Sequence, residues 1–192
     1  MVKVILMDME FEKIIDEIDM AIVNTTAARE HVTDCERGIR TIKESARCTV
    51  SKMRMVDIKV LPKQVISHLI YFVVMWLNGG PNENGISQVY SPREIVTGKT
   101  LEYKLHCKAN FGQYVHAHID PDKTNGMQNR TFPGIYLGPT GNMQGTVKVL
   151  DLNTGKVKKP KTFTEVPMPE SVVKLVNDWG KKYQKNRKKK ID

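Results

Sequence analysis

Residues 31–53 read HVTDCERGIRTIKESARCTVSKM, and the way this stretch folds decides how the rest is read. Its apolar residues Cys35, Ile39, Ile42, Ala46, Val50 and Met53 recur at steps of three and four. That spacing predicts one long amphipathic helix with a single buried stripe. Arg40, Lys43 and Arg47 gather on another arc of the same helix, with Glu36 one turn ahead of Arg40. One carboxylate in the first turn therefore opens an otherwise basic face. Two readings fit it. Thr33-x-x-Glu36 is a capping box, and Glu36 with Arg40 is an i,i+4 ion pair, both common structural devices. The same pattern suits a metal-ligating carboxylate beside a phosphate-binding stripe.

Upstream, VKVILM over residues 2–7 predicts a buried strand that ends at Asp8. Open α/β sheets place their ligands at that end of a strand. Asp8 also fits a helix N-cap, because Phe11, Ile14, Ile15 and Ile18 continue at helical spacing. Residues 20–24 read as a second short strand. Downstream, a helix is predicted from about Pro62 to Asn78, with Pro in its first turn. Its apolar run VISHLIYFVVMWL is too short to span a bilayer. Ser91 is placed to cap a further short helix, with Pro92 at its first position and Gly98 at its end.

The character changes between residues 98 and 110. β-prone runs at 113–119, 131–137, 145–150 and 156–163 alternate with turn signals such as Asn153-Thr154-Gly155, the pattern of a small barrel or sandwich. Residues 105–165 are expected to fold alone. Val166-Pro167-Met168-Pro169 reads as a rigid connector. A last helix is predicted over 170–183, weakened by Gly180. Lys181 to Lys190 holds seven basic residues and is expected to be disordered in isolation.

The formal net charge of +9 over 192 residues favours a polyanionic partner. Nucleic acid leads, although ribosomal or membrane-surface binding would also fit. Three cysteines without a C-x-x-C pair argue against a disulfide scaffold and for a reducing compartment. No secretory signal or membrane span is evident, which leaves nucleus or cytoplasm. His106, Cys107, His116 and His118 give only a weak zinc pattern, since no second Cys/His pair accompanies them.

The order of these motifs resembles the distal half of the integrase of copia-type retrotransposon polyproteins. The likeness runs over residues 2–165. Asp8 in ILMDMEFE resembles the second acid of the family's Asp-Asp-Glu triad, and Glu36 in CERGIRTIKESAR resembles the triad glutamate, a Glu-Arg pair opening a long helix. SPREIVTGK over 91–99 resembles the segment after the family's core. Phe111-Gly112 and YLGPTGNMQGTVKVLDLNTGKV resemble its SH3-like barrel. The resemblance implies an α/β, partial RNase H-like core over residues 1–100, an SH3-like β-barrel over 105–165, and a connector, short helix and basic tail over 166–192. Asp8 and Glu36 are its implied catalytic and metal-binding residues, holding Mg²⁺ or Mn²⁺ for phosphoryl transfer on DNA. Twenty-seven residues separate them, fewer than the family's usual spacing, so Glu10 or Glu12 is an alternative to Asp8.

DNA contacts are expected from Arg37, Arg40, Lys43 and Arg47 on the helix and from Lys181, Lys182, Lys185, Arg187, Lys188, Lys189 and Lys190 in the tail. The family's first aspartate and its His/Cys zinc module precede this region and are not among these residues. The implied partners are therefore DNA, an upstream part of the same polyprotein and a possible second copy, and the chain alone is expected to be inactive. A non-catalytic, basic nucleic-acid-binding module is the competing reading.

Overall fold

The computed structural model describes residues 4–7, 15, 18, 22–25, 33–83, 85–119, 127 and 129–188. It is mixed α/β, and the chain divides into two compact units, 1–45 and 46–192. The composition change near residue 100 marks where helix gives way to strand. The compact units divide elsewhere, between Ser45 and Ala46.

In the first unit, β1 (Val4–Met7) pairs in parallel with β2 (Ile22–Thr25), Val4 opposite Ile22 and Met7 opposite Thr25. A parallel pair cannot be closed by a tight turn and needs a crossover of a dozen or more residues. Residues 8–21 are long enough for one. The acids Asp8, Glu10 and Glu12 lie outside the described residues. The unit ends within α1 (Thr33–Arg54), the helix predicted from the spacing of its apolar residues. The single buried stripe expected along α1 holds only toward its C-terminal half: Ala46 and Met53 are buried, Ile42 and Val50 are half-buried, and Ile39, expected to be buried, is exposed.

The second unit is built on a five-stranded antiparallel sheet in the order β6-β5-β4-β3-β7. Its strands are β3 (Tyr114–His118), β4 (Thr131–Pro139), β5 (Val147–Asp151), β6 (Val157–Lys158) and β7 (Phe163–Glu165). Val115, Ala117, Phe132, Tyr136, Val147 and Val149 form one core cluster. The alternation along β3 and β5 follows the two-residue period of a pleated strand. Ile135, Leu137 and Leu150 are buried as well, so the central strands are covered on both faces. The run at 156–163, read from the sequence as one strand, is two. Pro160 separates them, having no N–H for a ladder, while its carbonyl accepts from the Val147 amide at 3.0 Å.

Helix α2 (Lys63–Leu77) supplies the outer cover, burying Val65, Leu69 and Val73 at four-residue steps. Phe72 stands against Gly138, where a Cβ would lie 2.7 Å from the ring. Gly138 has φ 114°, beside a bulge in the β4–β5 pairing. Phe72 also packs on Phe111, ring centres 5.3 Å apart. The sheet thus leans on helix residues that precede residue 105. Helix α3 (Pro92–Thr97) forms as predicted. The Ser91 side chain accepts from the Glu94 amide at 3.1 Å, and Gly98 closes the helix at φ 65°. A short α4 (Tyr103–His106) follows, which the sequence did not signal.

The C-terminal segment departs most from expectation. Helix α5 runs Glu170–Lys188, through the lysine-rich stretch expected to be disordered. Val172 and Val176 are buried on it. The Asn177 side chain accepts from the amides of Lys59 (2.8 Å) and Val60 (3.0 Å) and donates to the Asp57 carbonyl (2.9 Å). Gly180 does not weaken the helix end but allows close packing, because a methyl group there would strike the Val60 carbonyl.

Asp151 anchors the β5–β6 turn. It is 1% exposed, accepts from the Asn153 amide (2.8 Å) and Thr154 hydroxyl (2.9 Å), and pairs with Lys158 (2.8 Å). Burial works to raise its pKa. The hydrogen bonds from Lys158, the Asn153 amide and Thr154, together with the Lys158 charge, outweigh burial and hold the carboxyl below the usual aspartate value.

Two predictions follow from these contacts. Gly→Ala within a helix ordinarily stabilises by about 1 kcal/mol, but Gly180→Ala is expected to destabilise by about 1–3 kcal/mol through overpacking against Val60. Asn177→Ala is expected to cost a similar amount, about 1–3 kcal/mol, by leaving backbone groups unpaired. Urea unfolding of both variants measures this, and a stabilised Gly180→Ala would refute the close approach. For Asp151, a lowered folded-state pKa stabilises the fold above the unfolded-state value, about 3.9, and that contribution is lost as pH falls through the lowered folded value. Stability is expected to decline below about pH 4, and Asp151→Asn is expected to lose about 1–3 kcal/mol at pH 7 and to flatten that decline. Denaturation at pH 7 and in acid checks both.

Candidate nucleic-acid interface

Of the predicted site residues on α1, Glu36 lies exposed in the first turn, and Arg37, Arg40, Lys43 and Arg47 are exposed along the helix. Arg37, Arg40 and Lys43 belong to the first unit and Arg47 to the second. The Thr33 side chain, the other half of the capping box, lies outside the described side chains. Asp8 does too, so the Asp8–Glu36 pair is not brought together by any described contact. One exposed carboxylate does not define a site for a hard divalent cation, which takes several oxygen ligands. No group of three or more His, Cys, Asp or Glu among the described residues is arranged to hold a metal.

Lys181, Lys182 and Lys185 are exposed on α5. Lys181 makes a solvent-facing pair with Asp178 at 3.6 Å. Arg187 and Lys188 belong to the helix, but their side chains lie outside the described set, as do Lys189 and Lys190. Asn177 ties the helix to residues 57–60, and the described lysines lie one to two turns beyond it.

His106, His116 and His118 make local contacts. His106 is buried, with Nε2 3.0 Å from the Asn142 carbonyl oxygen and Nδ1 3.1 Å from the Glu102 amide. Nδ1 also lies 3.0 Å from the Glu102 carbonyl oxygen. His116 Nε2 lies 3.0 Å from the Tyr114 hydroxyl, and His118 Nε2 lies 3.3 Å from the Thr164 hydroxyl.

The sequence reading missed a second basic surface. Lys156, Lys158, Lys159 and Lys161 fall within six residues on and beside β6, the edge strand of the sheet. The signal was the run GKVKKPK, which strand propensity absorbed into a β-prone segment. Not all of its charge faces outward. Lys158 turns back to Asp151 and stands 4.5 Å over the Phe132 ring. Lys156, Lys159 and Lys161 are exposed. Edge lysines also discourage strand addition by another chain.

The second unit also carries an open groove of about 570 Å³, lined by Met53, Phe72, Trp76, Phe111 and Met168, with Lys52 among its polar lining residues. No helix among the described residues is long and apolar enough to cross a membrane. Comparison of the chain with protein-family models gives no match, and comparison with curated protein sequences gives none either.

If the α5 lysines contact phosphates, each lost contact removes about 0.9 from the slope of log affinity against log salt. The triple variant Lys181→Gln, Lys182→Gln, Lys185→Gln is expected to bind duplex DNA more weakly, with a slope flatter by about one to three. Fluorescence anisotropy across a salt series measures it, and equal slopes would remove α5 from the interface.

Proposed function

We propose that the chain is the distal half of a copia-type retroelement integrase. In this reading it binds DNA and contributes Asp8 and Glu36 to metal-dependent phosphoryl transfer in the intact polyprotein. The observation that carries the reading is the parallel β1–β2 pair followed by a 22-residue helix with Glu36 in its first turn. An RNase H-like core places a carboxylate at a strand end and another on a following helix in this order. The strand order of the second unit supports the SH3-like assignment, because four strands meander from β3 to β6 and the last, β7, returns beside the first. The segment 91–99 supports it through its capped α3. Among the described residues the sheet of the first unit has two strands, a number that is marginal by itself in water, and Ile22 is exposed on it. That suits a unit completed by further strands from the same polyprotein.

A second reading, a basic nucleic-acid-binding module without catalysis, is favoured by the exposed basic residues of the second unit, which need no metal to bind phosphate.

Strand-transfer and 3′-processing assays separate the two. The chain alone, with Mg²⁺ or Mn²⁺, is expected to yield no product. Addition of a segment bearing an aspartate on a partner strand is expected to restore activity that Glu36→Gln abolishes. DNA binding without restored activity would favour the binding module. Activity of the chain alone that survives Glu36→Gln would refute the assignment of Glu36.

A further inference from the structure

β5 and β6 pair with Val149 opposite Lys158 and Leu150 opposite Val157. The ladder continues past β6, because the Val147 amide donates to the Pro160 carbonyl at 3.0 Å, and the Asp151 amide donates to the Lys156 carbonyl at 2.9 Å. This register sets Lys148 opposite Lys159. With hydrogen bonds at residues 147 and 151, residue 148 takes a non-hydrogen-bonded position, where facing side chains stand closest. Like charges directly opposite each other in a sheet are destabilising. Neither lysine forms an ion pair among the described residues, and the one described pair of this region joins Lys158 to Asp151.

A third basic group lies over this pair. Lys148 shares the outer face of β5 with Leu150 and is half-buried. Its register partner across β4–β5 is Gly138, the residue covered by Phe72 of α2. His68 is one turn earlier on α2, on the same face as Phe72. Its Nδ1 is buried and has no hydrogen-bond partner. Burial, then the Lys148 charge, lowers the His68 pKa; burial, then the Lys159 charge, lowers that of Lys148. Among the described residues no carboxylate forms an ion pair with either group. Three basic groups, one with an unused ring nitrogen, thus act on one another across this face.

We propose that His68, Lys148 and Lys159 form a binding site for a phosphate group, supplied by the backbone of a nucleic-acid strand. A phosphate oxygen accepts from both ammonium groups, its charge offsets the cross-strand repulsion, and it favours the protonated form of the partly buried His68 ring beside them. The unliganded fold tolerates that repulsion, as binding sites commonly trade stability for function. The site lies wholly in the second unit and stands apart from the metal chemistry proposed for Asp8 and Glu36.

The test uses the full chain and the His68 imidazole resonance, assigned by its loss in His68→Gln. Inorganic phosphate and a short DNA duplex are both expected to move that resonance and to raise the pH at which His68 titrates, with chloride at equal ionic strength as the control. Lys148→Gln is expected to abolish both responses and to flatten the salt dependence of duplex binding by about one. In phosphate-free buffer Lys148→Gln is expected to melt at a higher temperature than the parent, because it removes a like-charge pair. A lower melting temperature would make Lys148 a structural residue and overturn the proposal. A His68 resonance that neither ligand moves would overturn it too. Movement by phosphate but not by duplex would overturn the nucleic-acid source.

Discussion

The second unit depends on one contact, the Phe72 ring of α2 set against the bare Cα of Gly138. No side chain fits at that position, and φ 114° is a conformation that L-residues rarely adopt. The glycine and the adjacent bulge let the helix come down onto β4. Three consequences follow from that approach. Phe72 meets Phe111, which ties the loop before β3 to the helix. Ile135, Leu137 and Leu150 on the sheet's outer face are withdrawn from water. His68, one turn away, is brought over the cationic residues of β5 and the segment after β6.

Much of this was legible from periodicity. The apolar steps along α1, the Ser-Pro start and Gly stop of α3, and the parallel-type run of β1 all rest on local chemistry, which a single sequence displays. What escaped was set by partners distant in the chain. Gly180 reads as a helix breaker until the Val60 carbonyl is known to lie against it. Asn177 reads as a surface amide until the amides of Lys59 and Val60 are placed beside it. The lysines after Gly180 read as a disordered tail because nothing in their own sequence shows that Asn177 and Val176 already hold the helix. Pro160 split a strand whose hydrophobic pattern ran on past it.

The candidate site divides in the same way. The arc of Arg40, Lys43 and Arg47 follows from helical geometry alone and is exposed as expected. The facing of Lys148 and Lys159 depends on strand register, which is fixed by the turn at residues 152–155 and by the Asp151 network that clamps it. A one-residue slip would turn every side chain to the opposite face. Lys158 and Lys159 are neighbours in sequence yet have opposite fates. Lys158 faces inward to neutralise Asp151, and Lys159 faces outward to meet another cation.

Net charge is therefore a poor guide to which cations of the second unit would gain most from an anion. Lys158 is committed to a buried carboxylate, Lys108 to the Gly145 carbonyl at 3.0 Å, and Lys181 to Asp178. A cation held by a carboxylate has less to gain from a phosphate, because the anion must compete with a partner already in place. A cation pressed against another cation gains more, since the incoming charge removes a repulsion as well as adding an attraction. By that argument the proposed site at Lys148 and Lys159 would gain more from an anion than the lysines already paired, although Lys148 is partly buried. The same argument leaves the two functional readings agreed about the second unit. They part over the first, since only the integrase reading has Asp8 and Glu36 share a metal ion.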